Sequence, residues 1–217
     1  MPQRQQYEAL VLRTFDVGEA DRFCILFTRE RGKIAARVRS VRKLNSKMGG
    51  YLLPFRQVCI ELTETSSGFL ITSASNVGTD VRLCHDLLSF SRLEQGIELL
   101  LCLTEDDHPL PEVFELLVQF LTLCRDNKRD VLLPFQLKLL QVLGVLPARQ
   151  EEEAFRRLHR ENRTFLEACG TVHDLALLSC VPREESELHV FCTAVLTDHL
   201  TRPLKAEGVG AALVGER

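Results

Sequence analysis

The stretch of this sequence with the clearest chemical potential is a cluster of cations near its beginning. Residues 29–47 hold one acid, Glu30, and eight basic residues: Arg29, Arg31, Lys33, Arg37, Arg39, Arg42, Lys43 and Lys47. Protein surfaces normally intersperse charges of both signs. A run of one sign therefore favours a polyanionic partner, and nucleic acid is the natural candidate. The alternative is a solvated surface with no such partner, because charge runs are common on surfaces.

The cations in this stretch also follow a pattern. Lys33, Arg37 and Arg39 fall on alternate positions, and the positions between them include Ile34 and Val38. A period of two predicts a strand with one buried and one solvated face, here over residues 33–41. Cations two residues apart would lie about 7 Å from one another, close to the repeat of phosphates along a strand. We expect phosphate contacts from Arg37, Arg39, Arg42, Lys43 and Lys47, with Lys33, Arg29 and Arg31 as outer contributors.

Four further strands are predicted around the basic one, at 7–15, 22–28, 55–64 and 69–75, the second apolar enough to be buried on both faces. Five short strands joined by tight turns predict a small closed barrel. The five-stranded OB-fold is the barrel of this size that commonly binds oligonucleotides. The aromatic candidates for base stacking in the barrel are Phe15, Phe23, Phe27, Tyr51, Phe55 and Phe69, and most of them are expected at inward strand positions. Tyr51 is the aromatic side chain expected to be exposed for base stacking.

After Gly78 the apolar pattern becomes helical. Helices are predicted at 81–103, 112–125, 131–143, 150–161 and 184–200, with a short segment at 173–178. The fold class is therefore α+β, with a barrel domain at 1–78 and an all-helical domain at 79–217. Residues 1–60 carry 12 Lys and Arg against 5 Asp and Glu, whereas the other 157 carry 15 against 25. This asymmetry predicts two functional surfaces, a basic front that binds nucleic acid and a helical part whose grooves bind protein partners.

Other classes of site have little support in the sequence. None of the eight cysteines forms a CxxC pair, which predicts free, buried thiols in a reducing cytosol and no metal. Neither a nucleotide-binding glycine loop nor a recognisable catalytic arrangement occurs. With no signal peptide and no apolar run of 18 residues, we expect a cytoplasmic protein without a membrane span. The sequence thus predicts a non-enzymatic protein without a cofactor.

Several segments resemble the RecO family of bacterial DNA-repair proteins. The matching pieces, in order, are VLRTFDVGEAD at 11–21, LFTRERGKIAA at 26–36 and FQLKLLQVLGVLP at 135–147. Between them, residues 40–43 stand where the family has a Gly-Ala-Arg-Arg-like run, and Ser40 there replaces a glycine. Single pieces are weak signals, but their order and spacing together are specific over residues 7–147.

The resemblance implies a recombination mediator associated with the nucleoid. Such a protein binds single- and double-stranded DNA, anneals complementary strands, and works with RecR and single-stranded DNA-binding protein (SSB) to load RecA. Many members carry a four-cysteine zinc site just after the segment that ends here at Pro147. This chain has no cysteine between Cys124 and Cys169, so the family's zinc site is expected to be missing. A protein-interaction adaptor and an RNA-binding OB module remain alternatives, since both could use the same basic strand.

Overall fold

The structure is a computed structural model that describes residues 5–77, 86–125, 131–146, 153–178 and 185–199. Contacts divide the chain into two compact units. The first contains the strands together with residues 104–115, and the second contains the remaining helical segments. The domain boundary predicted at residue 78 lies outside the described residues.

Five strands form a closed barrel in the first unit. They are β1 (Gln5–Val17), β2 (Asp21–Thr28), β3 (Gly32–Val38), β4 (Gln57–Thr65) and β5 (Gly68–Asn76). Their order around the barrel is β1-β2-β3-β5-β4, and β4 pairs with β1 to close it. All pairings are antiparallel except β3 with β5. The predicted five-stranded barrel is confirmed.

A bulge in β1 changes which side chains face the barrel interior. Before it, Ala9 and Val11 point into the core. The pairing with β2 then skips Leu12, because Val11 lies opposite Leu26 and Arg13 opposite Ile25. One extra residue reverses the side-chain alternation that follows. Phe15 therefore lies on the outer face, although unbroken alternation would have placed it inside.

The basic strand is shorter than predicted. Strand β3 ends at Val38 and not at residue 41, and Arg39 and Ser40 lie in a turn. Within β3 the predicted alternation is confirmed, since Ile34 and Val38 are buried and Arg37 is exposed. Ser40 adopts a left-handed backbone conformation, with φ of 55°. A strand needs negative φ at every residue, so it cannot continue through this position.

Residues 104–115 lie against the other end of β3. The Asp107 N–H donates to the Lys33 carbonyl oxygen at 2.7 Å, and Lys33 and Asp106 form an isolated parallel bridge. Gly32 has φ of 67° and packs directly beneath the His108 carbonyl. The outer face of the barrel is thus covered at the Lys33 end of β3.

The helical segments largely follow the predictions. They are α1 (Leu87–Leu103), α2 (Pro111–Arg125), α3 (Leu132–Val142), α4 (Glu153–Arg157), α5 (Arg160–Thr171), a short 3-10 helix (Leu175–Leu178) and α6 (Glu185–His199). The parts of the predictions at 81–85, 150–152, 184 and 200 fall outside the described residues. In the part of the chain that the structure describes, no helix is both long and apolar enough to cross a bilayer.

The single helix predicted at 150–161 is wrong. Two helices, α4 and α5, meet at Leu158 and His159. The backbone of His159 is extended, with φ of −56° and ψ of 153°, which interrupts helical hydrogen bonding. Its N–H donates instead to Glu187 Oε2 at 3.0 Å, so a tertiary contact from α6 satisfies this helix start.

The core of the helical unit contains stacked aromatic rings. The Phe120 and Phe135 rings have centroids 4.0 Å apart, and Gly96 lies against the Phe120 ring with no room for a side chain. Cysteines also line this interior. Burial raises the pKa of Cys169 and Cys192 to about 12, so both thiols stay protonated at neutral pH.

Candidate nucleic-acid interface

The loop between β3 and β4, residues 39–56, carries four of the eight candidate DNA-binding cations. Its buried residues Val41, Leu52 and Phe55 attach it to the barrel. Phe55 also donates its N–H to the Val11 carbonyl at 2.7 Å, and the Val11 N–H donates to Arg56 at 2.9 Å. The polar residues between these anchors consequently remain on the surface. A cationic loop held in this way can meet a ligand with little loss of backbone entropy.

Asp21 organises the turn where β3 passes into this loop. One of its oxygens accepts the Ser40 N–H at 2.8 Å. The other accepts Arg37 Nε at 3.0 Å and Nη2 at 2.6 Å. The Ser40 N–H and the Arg37 guanidinium hold the pKa of Asp21 below its ordinary value. Arg37 therefore keeps a fixed position while its side chain stays 52% exposed.

The left-handed conformation of Ser40 gives a first prediction. A left-handed backbone conformation costs a non-glycine residue about 1–2 kcal/mol. Glycine removes this strain, but it also makes the unfolded chain more flexible, which offsets part of the gain in stability. Ser40→Gly is expected to raise the free energy of unfolding by about 0.5–1 kcal/mol, measured by urea unfolding. Ser40→Ala is the control. It keeps both the strain and the backbone bond to Asp21, so an equal gain from alanine would contradict the explanation.

Arg42 connects the loop to the β1–β2 hairpin. Its Nη1 donates to the Gly18 carbonyl at 3.0 Å, and its Nε lies 3.3 Å from Asp16 Oδ2. Asp16 also accepts Arg22 Nε at 3.1 Å. Arg42 is thus partly neutralised in place, and it presents the rest of its guanidinium to solvent.

Three cations of the loop differ from Arg37 and Arg42. Arg39, Lys43 and Lys47, hereafter the loop cations, are exposed. Within the described part of the chain, none of the three forms an ion pair with a carboxylate. An exposed cation without an acid partner can accept a phosphate without first breaking a salt bridge.

The other three candidates, Arg29, Arg31 and Lys33, are engaged by acids and will be called the acid-paired cations. Arg31 donates to both oxygens of Asp107, at 2.6 and 2.5 Å, and lies over the Phe69 ring. That guanidinium also holds the pKa of Asp107 below its ordinary value.

Arg29 and Lys33 are engaged in the same manner. Arg29 pairs with Glu8 and Glu115. Lys33 lies 3.2 Å from Asp106, and its side chain is only 14% exposed. The basic stretch itself contains one acid, and the carboxylates that pair with the three acid-paired cations come from segments distant in sequence. Of the eight candidates, the loop cations are open to a ligand and the acid-paired cations join the barrel to residues 104–115. The remaining two, Arg37 and Arg42, are exposed, but each forms an ion pair with an aspartate.

The prediction that Tyr51 is the exposed aromatic residue of this surface is wrong. Tyr51 is partly buried and packs against the barrel core. Phe15 and Phe23 are instead 49% and 37% exposed. The bulge at Leu12 turns Phe15 outward. Phe23 faces outward because Cys24 and Leu26 occupy the inward positions of β2.

No metal centre is evident where the structure describes the chain. Those residues contain no cluster of three or more His, Cys, Asp or Glu side chains with a geometry suited to a metal ion. The stretch at 147–152, where the family's zinc site would begin, lies outside them. The absence of zinc stays a prediction.

Comparison with known proteins supports the residue-level resemblance. A family model described as "Recombination protein O N terminal" matches residues 1–77. A Bacillus pumilus protein named DNA repair protein RecO is 32% identical over 180 residues, which cover 75% of this chain and 67% of that protein.

Two further relatives with the same name come from Myxococcus xanthus and Syntrophotalea carbinolica. They are 32% identical over 148 residues and 34% identical over 144 residues. The matches cover 67% and 64% of this chain, and 61% and 56% of the relatives. The chain thus spans about three fifths of the length of these two proteins.

Proposed function

Because this chain belongs to the RecO family, we propose that it is a non-enzymatic DNA-binding protein of recombinational DNA repair. It binds single- and double-stranded DNA through the barrel and anneals complementary strands. The observation that carries this proposal is the set of loop cations, which are exposed and form no ion pair with a carboxylate in the described part of the chain. RNA binding by the same surface is the second candidate, since phosphate recognition alone does not exclude it.

The proposed mechanism is charge neutralisation. Two DNA strands repel one another through their phosphates, and each phosphate contact releases condensed counterions. The loop cations supply such contacts, and Arg37 and Arg42 add partly neutralised charge beside them. A surface that holds two strands at once lowers their repulsion without reading their sequence. Annealing of this kind requires no covalent step.

The helical part is proposed to bind proteins. The second part of the sequence is acidic, with 25 Asp and Glu against 15 Lys and Arg after residue 60. Acidic surfaces repel DNA and remain available to other partners. By its family membership, those partners are proposed to be RecR and SSB, through which the protein acts in RecA loading.

A salt series joined to an annealing assay tests this proposal. Affinity for single-stranded DNA is expected to fall linearly on a plot of log K against log salt, with a slope of about −0.7 per phosphate contacted. Complementary strands should anneal faster with the protein than without it, and equally fast with or without ATP.

Complementary RNA strands and an acidic protein, assayed alongside the DNA, serve as comparison ligands. Annealing that requires hydrolysable ATP would contradict the mechanism. Stronger binding and annealing of RNA would favour the RNA-binding candidate. Binding of the acidic protein without binding of either nucleic acid would favour an adaptor.

A further inference from the structure

The outer face of the barrel carries two exposed phenylalanines side by side. Phe15 on β1 lies directly opposite Phe23 on β2. Side chains in such positions have Cβ atoms about 4.5–5.5 Å apart. The two rings, here called the phenylalanine pair, are 49% and 37% exposed.

The same row continues onto the basic strand. Phe23 lies opposite Arg37 on β3, so two rings and a guanidinium follow one another across three neighbouring strands. Arg37 keeps this position through its two hydrogen bonds to Asp21. Next along the strands, Ile25 lies opposite Ala35 and extends the apolar surface away from the hairpin tip.

The charges around the phenylalanine pair indicate what could cover it. The nearby acids Asp16 and Asp21 both already accept hydrogen bonds from arginines. Arg39 and Arg42 follow in the adjoining turn and loop. Flat apolar rings bordered by cations suit a ligand with flat apolar faces and a negative backbone, which describes single-stranded nucleic acid. An apolar protein segment could pack against the rings, but it would offer no negative charge to the cations.

We propose that Phe15 and Phe23 form a stacking platform for bases of single-stranded DNA, with Arg37 beside it to meet the backbone. This inference rests on the proposed function and adds a strand preference to it. In a duplex the base faces are already stacked on one another and cannot reach the rings. The loop cations then serve both forms of DNA, while the phenylalanine pair selects single strands.

A tryptophan reporter tests the platform directly, because the chain contains no tryptophan. Phe23→Trp introduces a single indole, whose fluorescence is quenched when a base stacks on it. We expect oligo(dT) to quench this emission at the concentrations where it binds, and a duplex at saturating concentration to leave it unchanged. Leu177→Trp, at an exposed position of the helical unit, is the control and should not respond to either ligand.

A second pair of variants separates stacking from general apolar contact. Phe15→Leu with Phe23→Leu keeps an apolar surface but removes both aromatic faces. Affinity for single-stranded DNA is expected to fall by about tenfold or more, while duplex affinity and the salt slope stay the same. Phe90→Leu, on exposed α1 surface, is the matched control.

The outcomes distinguish this inference from the function on which it rests. If the parent protein binds DNA with the expected salt slope but oligo(dT) does not quench Phe23→Trp, the platform is wrong and the proposed function stands. Unchanged affinity of the double leucine variant for single-stranded DNA would also overturn the platform. So would a variant that loses affinity for a protein ligand but keeps its affinity for single-stranded DNA. If the parent binds no DNA, both proposals fall.

Discussion

Replacing Arg39, Lys43 and Lys47 together by alanine is expected to reduce the salt slope for single-stranded DNA by about 2 in magnitude. Each residue is taken to contact one phosphate, and each such contact contributes about 0.7 to the slope. The three side chains are exposed, and exposed substitutions usually change stability by less than about 0.5 kcal/mol each. Fluorescence anisotropy across a series of salt concentrations gives the slope, and circular dichroism checks the fold.

A control with the same change in net charge is available in the helical unit. Arg156, Arg157 and Arg160 are exposed on α4 and α5, and their triple alanine variant should leave the slope unchanged. Arg37 and Arg42 are left in place because removing either would also leave an aspartate without that cation. An unchanged slope in a folded loop-cation variant would identify the loop as a solvated surface only.

Gly32→Ala is expected to cost about 3 kcal/mol or more of unfolding free energy. The residue has φ of 67°, a conformation that costs alanine about 1–2 kcal/mol. A Cβ there would also overlap the carbonyl oxygen of His108 and lie 2.9 Å from its carbon. The atoms that the new Cβ would meet belong to the backbone, so no side chain can rotate away to make room. Residues 107–109 would have to shift instead. Urea unfolding followed by circular dichroism measures the loss.

Gly18→Ala separates the two causes. Gly18 has a similar φ of 59° but no atom within 4 Å of its missing side chain. It is expected to lose only the conformational part, about 1 kcal/mol. Equal losses from the two variants would show that the contact between Gly32 and His108 does not contribute.

Much of this architecture could be predicted from local patterns. The alternation in β3 and β4 and the helical spacing after residue 86 reflect the side chains that each element must bury. A buried side chain recurs every second residue in a strand and about once per turn in a helix, so both patterns are visible in the sequence. Glycine at position 32 signalled a positive φ because other residues rarely adopt one. The closed barrel was expected from five short strands, although residues 39–56 make the connection between β3 and β4 a long loop.

The candidate site was less accessible from sequence. The basic stretch contains one acid, and its cations were expected to form an open row. Instead Asp106, Asp107 and Glu115 neutralise the acid-paired cations from more than 70 residues away. Ion pairs depend on distance in space, and no local pattern records which remote carboxylate will arrive.

The sequence by itself determined the barrel, the helices that follow it and the location of the basic loop, because each depends on regular burial or on local composition. Only the tertiary structure decided which cations remain open to a ligand and which aromatic rings face solvent. The bulge at Leu12 moves Phe15 to the outer face, since one extra residue in a strand reverses every later side chain. Pairing across strands then sets Phe15, Phe23 and Arg37 in one row, which the linear order of the chain does not reveal.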